Sequence, residues 1–227
     1  MRFSEGCVKM ARKRALLLLP DPEEIKRISQ SVATLDAIIM PEWQLRYFSF
    51  NRKWDEDEQV ASMRDGGGGF YFAAFDLNGV IIKGYDPHRE MGAYNARTGH
   101  PWAGVLDCVP NSFRQFLSEP AFSISEATFC FWRQPSDSNW NMCDITFPSG
   151  ADPDGSERLL FIFDGDPRTY QLWAEGYYER PINLSAIEEV YSHATLNASL
   201  VAALNPDRNL DSLCEDLDEI GYPNQTC

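Results

Sequence analysis

The chain has 227 residues and a formal net charge of −14, from 34 acidic and 20 basic side chains. An apolar share of 44% with 13% aromatic residues excludes disorder as a description of the whole, and the acidic surplus sets nucleic acid and anionic membrane aside as partners. The length suits one large domain or two small ones, and the pattern reads as a single α+β domain over residues 1–227.

In chain order, residues 1–20 read as a poorly packed N-terminal extension. Lys9, Arg12, Lys13 and Arg14 precede Ala15-Leu16-Leu17-Leu18-Leu19, the outline of a secretory leader. The apolar run is too short for one before Pro20, and no small-residue cleavage site follows. No other segment approaches the length of a membrane span.

The first element is a helix from about Pro22 to Ile39. Asp21 can cap it, Pro22 suits its first turn, and Ile25, Ile28, Val32, Leu35 and Ile39 form one apolar stripe before Pro41 ends it. The middle is β-like. A strand is expected over Leu45–Phe50. Phe70–Phe75 and Val80–Lys83 flank Asp76-Leu77-Asn78-Gly79, and an Asn-Gly between apolar runs signals a hairpin. Further strands are expected at Ala127–Trp132, Ile145–Phe147 and Leu159–Phe163, with a short helix near Pro110–Leu117. Residues 86–106 read as a long irregular connection of the kind that often carries function.

From Asp166 to residue 222 the chain becomes a helical C-terminal subregion. Asp166-Pro167 opens a helix carrying Tyr170, Trp173 and Tyr177. Ser185 with Glu188 has capping-box spacing, and Thr195 opens a helix with Leu196, Leu200 and Leu204. A last helix runs from about Arg208 to Ile220 and stops at Gly221. A central, mainly antiparallel sheet with an N-terminal helix and a C-terminal helical cluster is the expected fold, because strands and helices do not alternate.

No catalytic constellation, metal-ligand spacing or cofactor motif emerges. Asp65-Gly66-Gly67-Gly68-Gly69 lacks the Lys and Ser/Thr of a phosphate loop and leads into a strand, so it reads as a flexible loop. Asp152-Pro153-Asp154-Gly155-Ser156-Glu157 lacks the ligand series of a calcium loop and reads as Asx turns. His88 and His100 share the 86–106 connection without a metal-ligand spacing. Six cysteines lie at long, irregular intervals with no C-x-x-C. That pattern fits a reducing compartment, with Cys130 a buried free thiol in a strand.

Charge is the most informative feature. Residues 1–40 are net +2, residues 41–150 net −5, and residues 151–227 net −11 with no lysine. In the last helix Leu210, Leu213, Leu217 and Ile220 form a buried stripe, while Asp211, Glu215 and Asp218 share the exposed face with Asp216 and Glu219 nearby. Carboxylates in its last turns oppose the helix dipole and repel one another, each effect costing roughly a few tenths of a kcal/mol. No cation beyond Arg208 follows to offset them. Asp211, Glu215, Asp218 and Glu219, with Glu188 and Glu189 as further candidates, are therefore the expected contacts for a basic protein partner.

Pro101-Trp102-Ala103-Gly104-Val105-Leu106-Asp107, Val109-Pro110, Phe113, Phe116-Leu117, Glu119-Pro120-Ala121-Phe122 and Thr128-Phe129-Cys130-Phe131-Trp132-Arg133 form one set of motifs. Ala203-Leu204-Asn205-Pro206 and Glu219-Ile220-Gly221-Tyr222 form a second. Over roughly residues 70–222 they resemble an uncharacterised family of acidic bacterial cytoplasmic proteins with no assigned activity. The resemblance implies a bacterial, cytoplasmic, single-unit protein and brings no catalytic residues with it. The expected function is an acidic protein-binding module: an immunity protein that neutralises a cognate bacterial toxin by covering its active surface. The alternative is an enzyme of unfamiliar type with its site in the 86–106 loop.

Overall fold

A computed structural model describes residues 19–225. The proposed extension thus lies outside the described residues, apart from Leu19 and Pro20. The protein is α+β. Five strands, β1 (Phe48–Asn51), β2 (Gln59–Arg64), β3 (Phe70–Asp76), β4 (Gly79–Tyr85) and β5 (Phe129–Arg133), follow one another in an antiparallel sheet of order β1-β2-β3-β4-β5. Among the described residues no helix is long and apolar enough to cross a membrane.

The chain divides into two compact units, and the backbone passes from one to the other within β2. Ser62–Phe161, with residues 19–22, makes the first unit. Its spine is the β3–β4 hairpin, paired from Phe70↔Tyr85 to Asp76↔Gly79, with β5 on the far side of β4 from Val80↔Arg133 to Gly84↔Phe129. β4 is buried from Val80 to Tyr85 without alternation, as a strand covered on both faces must be. Met91, Val105, Phe113, Phe116 and Phe122 add to its core.

Several connections differ from expectation. The 86–106 segment contains a helix, α2 (Glu90–Thr98), ended by Gly99 in the left-handed conformation. Gly92 lets that helix lie against the Asp86 backbone, because a Cβ there would stand 1.8 Å from the Asp86 carbonyl oxygen. The helix near Pro110 is a 3-10 turn (Asn111–Phe113) running into α3 (Arg114–Ser118). Ile145–Phe147 forms no strand. Leu159–Phe163 is not a strand either: α4 (Ser156–Leu159) precedes a 3-10 turn over Phe161–Asp164. A short apolar run fits a buried strand and a buried helical turn equally well. Cys108 and Cys143 form a disulfide that irregular spacing did not announce, whereas Cys130 is a buried free thiol in β5 as expected.

Glu23–Ala61 and residues 162–225 make the second unit. Its centre is α1 (Pro22–Ile39), with the bounds that periodicity predicted. The apolar stripe is only part of its buried surface: every residue from Ser31 to Ile39 is buried. A helix enclosed all round must find partners for its polar side chains within the protein, and two of them do so directly. Ser31 Oγ donates to the Val190 carbonyl, and Asp36 accepts from the Tyr47 and Phe48 amides and from Tyr170 Oη.

Around α1 lie α5 (Pro167–Tyr177), α6 (Leu184–Tyr191), α7 (Ala198–Leu204) and α8 (Cys214–Ile220). Asp166 caps α5 by accepting from the Arg168 amide. The caps of α6 and α7 are Asn183 and Asn197, accepting from the Ala186 and Leu200 amides, rather than Ser185 and Thr195. Asparagine ranks with serine as a cap, and the chain enters these helices two residues away from the predicted starts. The last helix is shorter than Arg208–Ile220, beginning as a 3-10 turn over Asp211–Leu213 and ending at Gly221 with φ 75°.

Candidate partner-binding surface

The 3-10 turn and α8 form a short amphipathic segment. Leu213, Leu217 and Ile220 are buried, and Gly221 closes the helix by donating to the Leu217 carbonyl. Glu215 and Asp216 lie in the first turn, where the helix dipole favours them, whereas Asp218 and Glu219 lie toward the end that disfavours acid.

The carboxylates divide into two sets. Asp216 is held by Arg46 through a fork, Nη1 to Oδ1 at 2.6 Å and Nη2 to Oδ2 at 3.0 Å, and by Arg208 Nη2 at 3.4 Å. Asp218, though exposed, is paired with Lys53 at 2.6 Å and with Arg52, whose Nε also donates to the Asp218 carbonyl. Hydrogen bonds from Lys53 and then Arg52 pull the Asp218 pKa below its usual value. The expectation that no cation offsets this helix is therefore corrected. Arg46, Arg52 and Lys53 arrive from about 165 residues upstream, a partnership no local spacing could reveal.

Asp211 and Glu215 form the second set: exposed, with no ion pair to either among the described residues. Glu219 is also exposed and has no ion pair there. Partial burial and the neighbouring Asp216 raise its pKa. Glu188 and Glu189 are exposed on α6, where their carbonyls accept from the Ser192 and Ala194 amides. α6 and α8 both fasten to α1, through Ser31 to the Val190 carbonyl and Gln30 to the Ile220 carbonyl. Asp211, Glu215, Asp218 and Glu219 thus share one segment, and Glu188 and Glu189 stand on another helix of the same unit.

The first unit holds the other candidate region, around the 86–106 segment. Asp86 is fully buried, and its carboxylate accepts from Arg158 Nε at 2.7 Å and from the His88 amide at 2.9 Å, with Arg89 Nε at 3.5 Å. Arg158 also reaches Asp65 at 2.7 Å. Burial alone would lower the Arg158 pKa, but hydrogen bonds to Asp86 and Asp65 outweigh it and hold the pKa above the usual value. Asp65 organises the glycine run: its Oδ1 accepts from the Gly67 and Gly69 amides, and His88 Nε2 meets the Gly67 carbonyl at 2.9 Å. The run expected as a flexible loop is instead a carboxylate-centred turn. Asp152, read as part of an Asx turn, caps α4 by accepting from the Glu157 and Arg158 amides.

This network joins His88, Asp86, Asp65 and Arg158, while His100 stands exposed beyond the end of α2. No group of three His, Cys, Asp or Glu side chains able to hold a metal occurs among the described residues. Lys83 is a buried cation of the same unit: its Nζ donates to the Phe122 and Ser123 carbonyls and lies 4.4 Å from the Phe70 ring centre. Burial lowers its pKa to about 7. No family model matches the chain, and neither a curated protein nor a solved structure matches it.

Proposed function

We propose that the chain is an acidic protein-binding module and, within that class, an immunity protein that neutralises a cognate bacterial toxin by covering its active surface. The observation that carries this reading is the division among the carboxylates of α8. Asp216 and Asp218 are occupied by cations of the same chain, while Asp211, Glu215 and Glu219 face solvent without ion pairs among the described residues. Unpaired like charges four residues apart do nothing for the fold and cost it a little. They do create a local field that draws a basic protein in and raises its association rate. Residues 162–227, in the same unit as α8, carry 12 acidic side chains against Arg168, Arg180 and Arg208, and this net −9 extends that field.

The test is affinity capture with the tagged chain, eluted across a salt gradient, followed by assay of what is recovered. A stoichiometric basic protein whose toxicity to cells is abolished by co-expression of the chain is the expected result. The Asp211→Lys, Glu215→Lys double variant should slow association by about tenfold at low salt and flatten its salt dependence. Asp218 is left in place because its reversal would set a lysine against Arg52 and Lys53. Equal capture by both forms would remove α8 from the interface, and a recovered partner that stays toxic would remove the immunity role.

A further inference from the structure

The second unit presents two large apolar side chains on a rigid turn next to α8. Trp43 is 60% exposed and Leu45 54%, in a 3-10 turn over Trp43–Leu45 whose Gln44, like Pro41 and Glu42 just before it, is also exposed. Lone surface hydrophobes need no explanation, but this turn is built to hold its pair outward. The Leu45 amide donates to the Glu42 carbonyl at 2.9 Å and the Arg46 amide to the Trp43 carbonyl at 3.2 Å. The Arg46 side chain then clamps the turn from within. Its Nε donates to the Met40 carbonyl at 2.8 Å, its Nη2 to the Pro41 carbonyl at 3.0 Å, and its fork grips Asp216. With Arg46 only 11% exposed, that pair is shielded enough to fix the turn against α8.

A tryptophan held outward and already ordered loses little conformational freedom when a partner covers it, and tryptophan is among the residues most enriched at binding hot spots. The surroundings state the partner's charge. Glu42 and Glu219 both act electrostatically on the Arg46–Asp216–Arg208 cluster, while Arg46 and Arg208 are turned inward onto Asp216. The outward charge beside the apolar pair is therefore that of Glu42 and Glu219.

We infer that Trp43 and Leu45 are the apolar anchor of the partner interface, filling a hydrophobic pocket on a basic protein whose rim of Lys and Arg meets the carboxylates of α8. The inference rests on the partner-binding reading of α8. Area in the centre supplies affinity, and the acidic rim supplies approach and orientation.

Two synthetic helical peptides of equal positive charge test it, one of leucine and lysine with a single apolar face, the other with serine replacing leucine. Fluorescence anisotropy should show the native chain binding the leucine peptide about tenfold more tightly than the serine peptide. Trp43→Ser with Leu45→Ser should erase that preference while leaving the serine peptide's affinity unchanged, and Trp43→Phe should retain most of it. Asp211→Lys with Glu215→Lys should weaken both peptides. Both changes are at exposed positions, and an unaltered Tm would confirm an intact fold. A preference that survives loss of Trp43 and Leu45, with both peptides still weakened by charge reversal, overturns the anchor and leaves the acidic surface standing. Charge reversal that weakens neither peptide overturns both. Self-association in sedimentation, abolished by Trp43→Ser, would assign the turn to a second copy of this chain and overturn the basic partner.

Discussion

Asp86 in the first unit and Asp36 in the second are both fully buried, and the two are kept by opposite means. Asp86, in the first unit, faces cations: Arg158 directly and Arg89 at longer range. Asp36, in the second, is held among the described residues by neutral donors: two backbone amides and Tyr170 Oη, with the Tyr178 phenol beside them. An arginine cancels the field of a carboxylate, whereas amides and a phenol stabilise the anion without cancelling it. Burial therefore dominates at Asp36 and pushes its pKa up to about 6, despite the hydrogen bonds that pull it down. A buried acid with an ion partner is a fastening, and one with neutral donors is also a proton site.

The comparison breaks most sharply at Asp36. Asp36→Ala orphans the Tyr47 and Phe48 amides and Tyr170 Oη inside the core, and should cost about 3–5 kcal/mol in urea unfolding. Asp86→Ala should cost less, about 2 kcal/mol, because Arg158 is a third exposed and keeps Asp65 as a partner. A loss at Asp86 equal to that at Asp36 would show that the cation is not what sets them apart.

The proton-site half of the comparison has a definite sign. With its pKa raised, the folded state holds the Asp36 proton more firmly than the unfolded chain does. Its contribution is complete below the ordinary aspartate pKa of 3.8 and is lost as pH rises through about 6. The native chain should lose roughly 2–3 kcal/mol from this source between those limits. In matched unfolding curves the Asp36→Asn variant should lack that fall, and parallel pH profiles would place the pKa of Asp36 in the normal range.

On the surface the same distinction separates Asp216 from its neighbours. Arg46→Ala removes a forked, largely shielded pair and two carbonyl contacts, and should lower stability by about 1 kcal/mol. Asp211→Lys with Glu215→Lys should change it by less than about 0.5 kcal/mol, since neither side chain is paired among the described residues. A thermal scan that ranked these two the other way would give the exposed carboxylates a structural duty.

Local signals were legible where one element carried its own pattern. The stripe of Ile25, Ile28, Val32, Leu35 and Ile39 marked α1 to its ends, and Asn78-Gly79 marked the turn between β3 and β4. α2 was missed because its buried residues are Met91, Gly92 and Asn95, a face with a single large apolar side chain. Gln59–Arg64 was missed as a strand because it offers Val60, Ala61 and Met63 between polar residues, with little β-branched content. At the candidate surface the charges could be read but their partners could not. Only the fold shows that Asp216 and Asp218 are engaged while, among the described residues, Asp211 and Glu215 have no ion pair. Nothing in the sequence pattern singles out Trp43, whose exposure goes with the turn that Arg46 clamps.

The Cys108–Cys143 link has a mechanical consequence. The two residues are 35 apart in sequence with Cα atoms separated by 5.5 Å, so the chain between them, which includes β5 and the carbonyls holding Lys83, carries no tension when the ends are pulled. A molecule stretched to full length should fall short by about 110 Å while the bond is intact, at roughly 3.3–3.6 Å per residue. A pore-threading unfoldase would meet a doubled strand at Cys108, which is exposed and open to a reducing thiol. Optical-trap extension with and without dithiothreitol measures this directly, and equal contour lengths in the two conditions would show that the link does not bear the load.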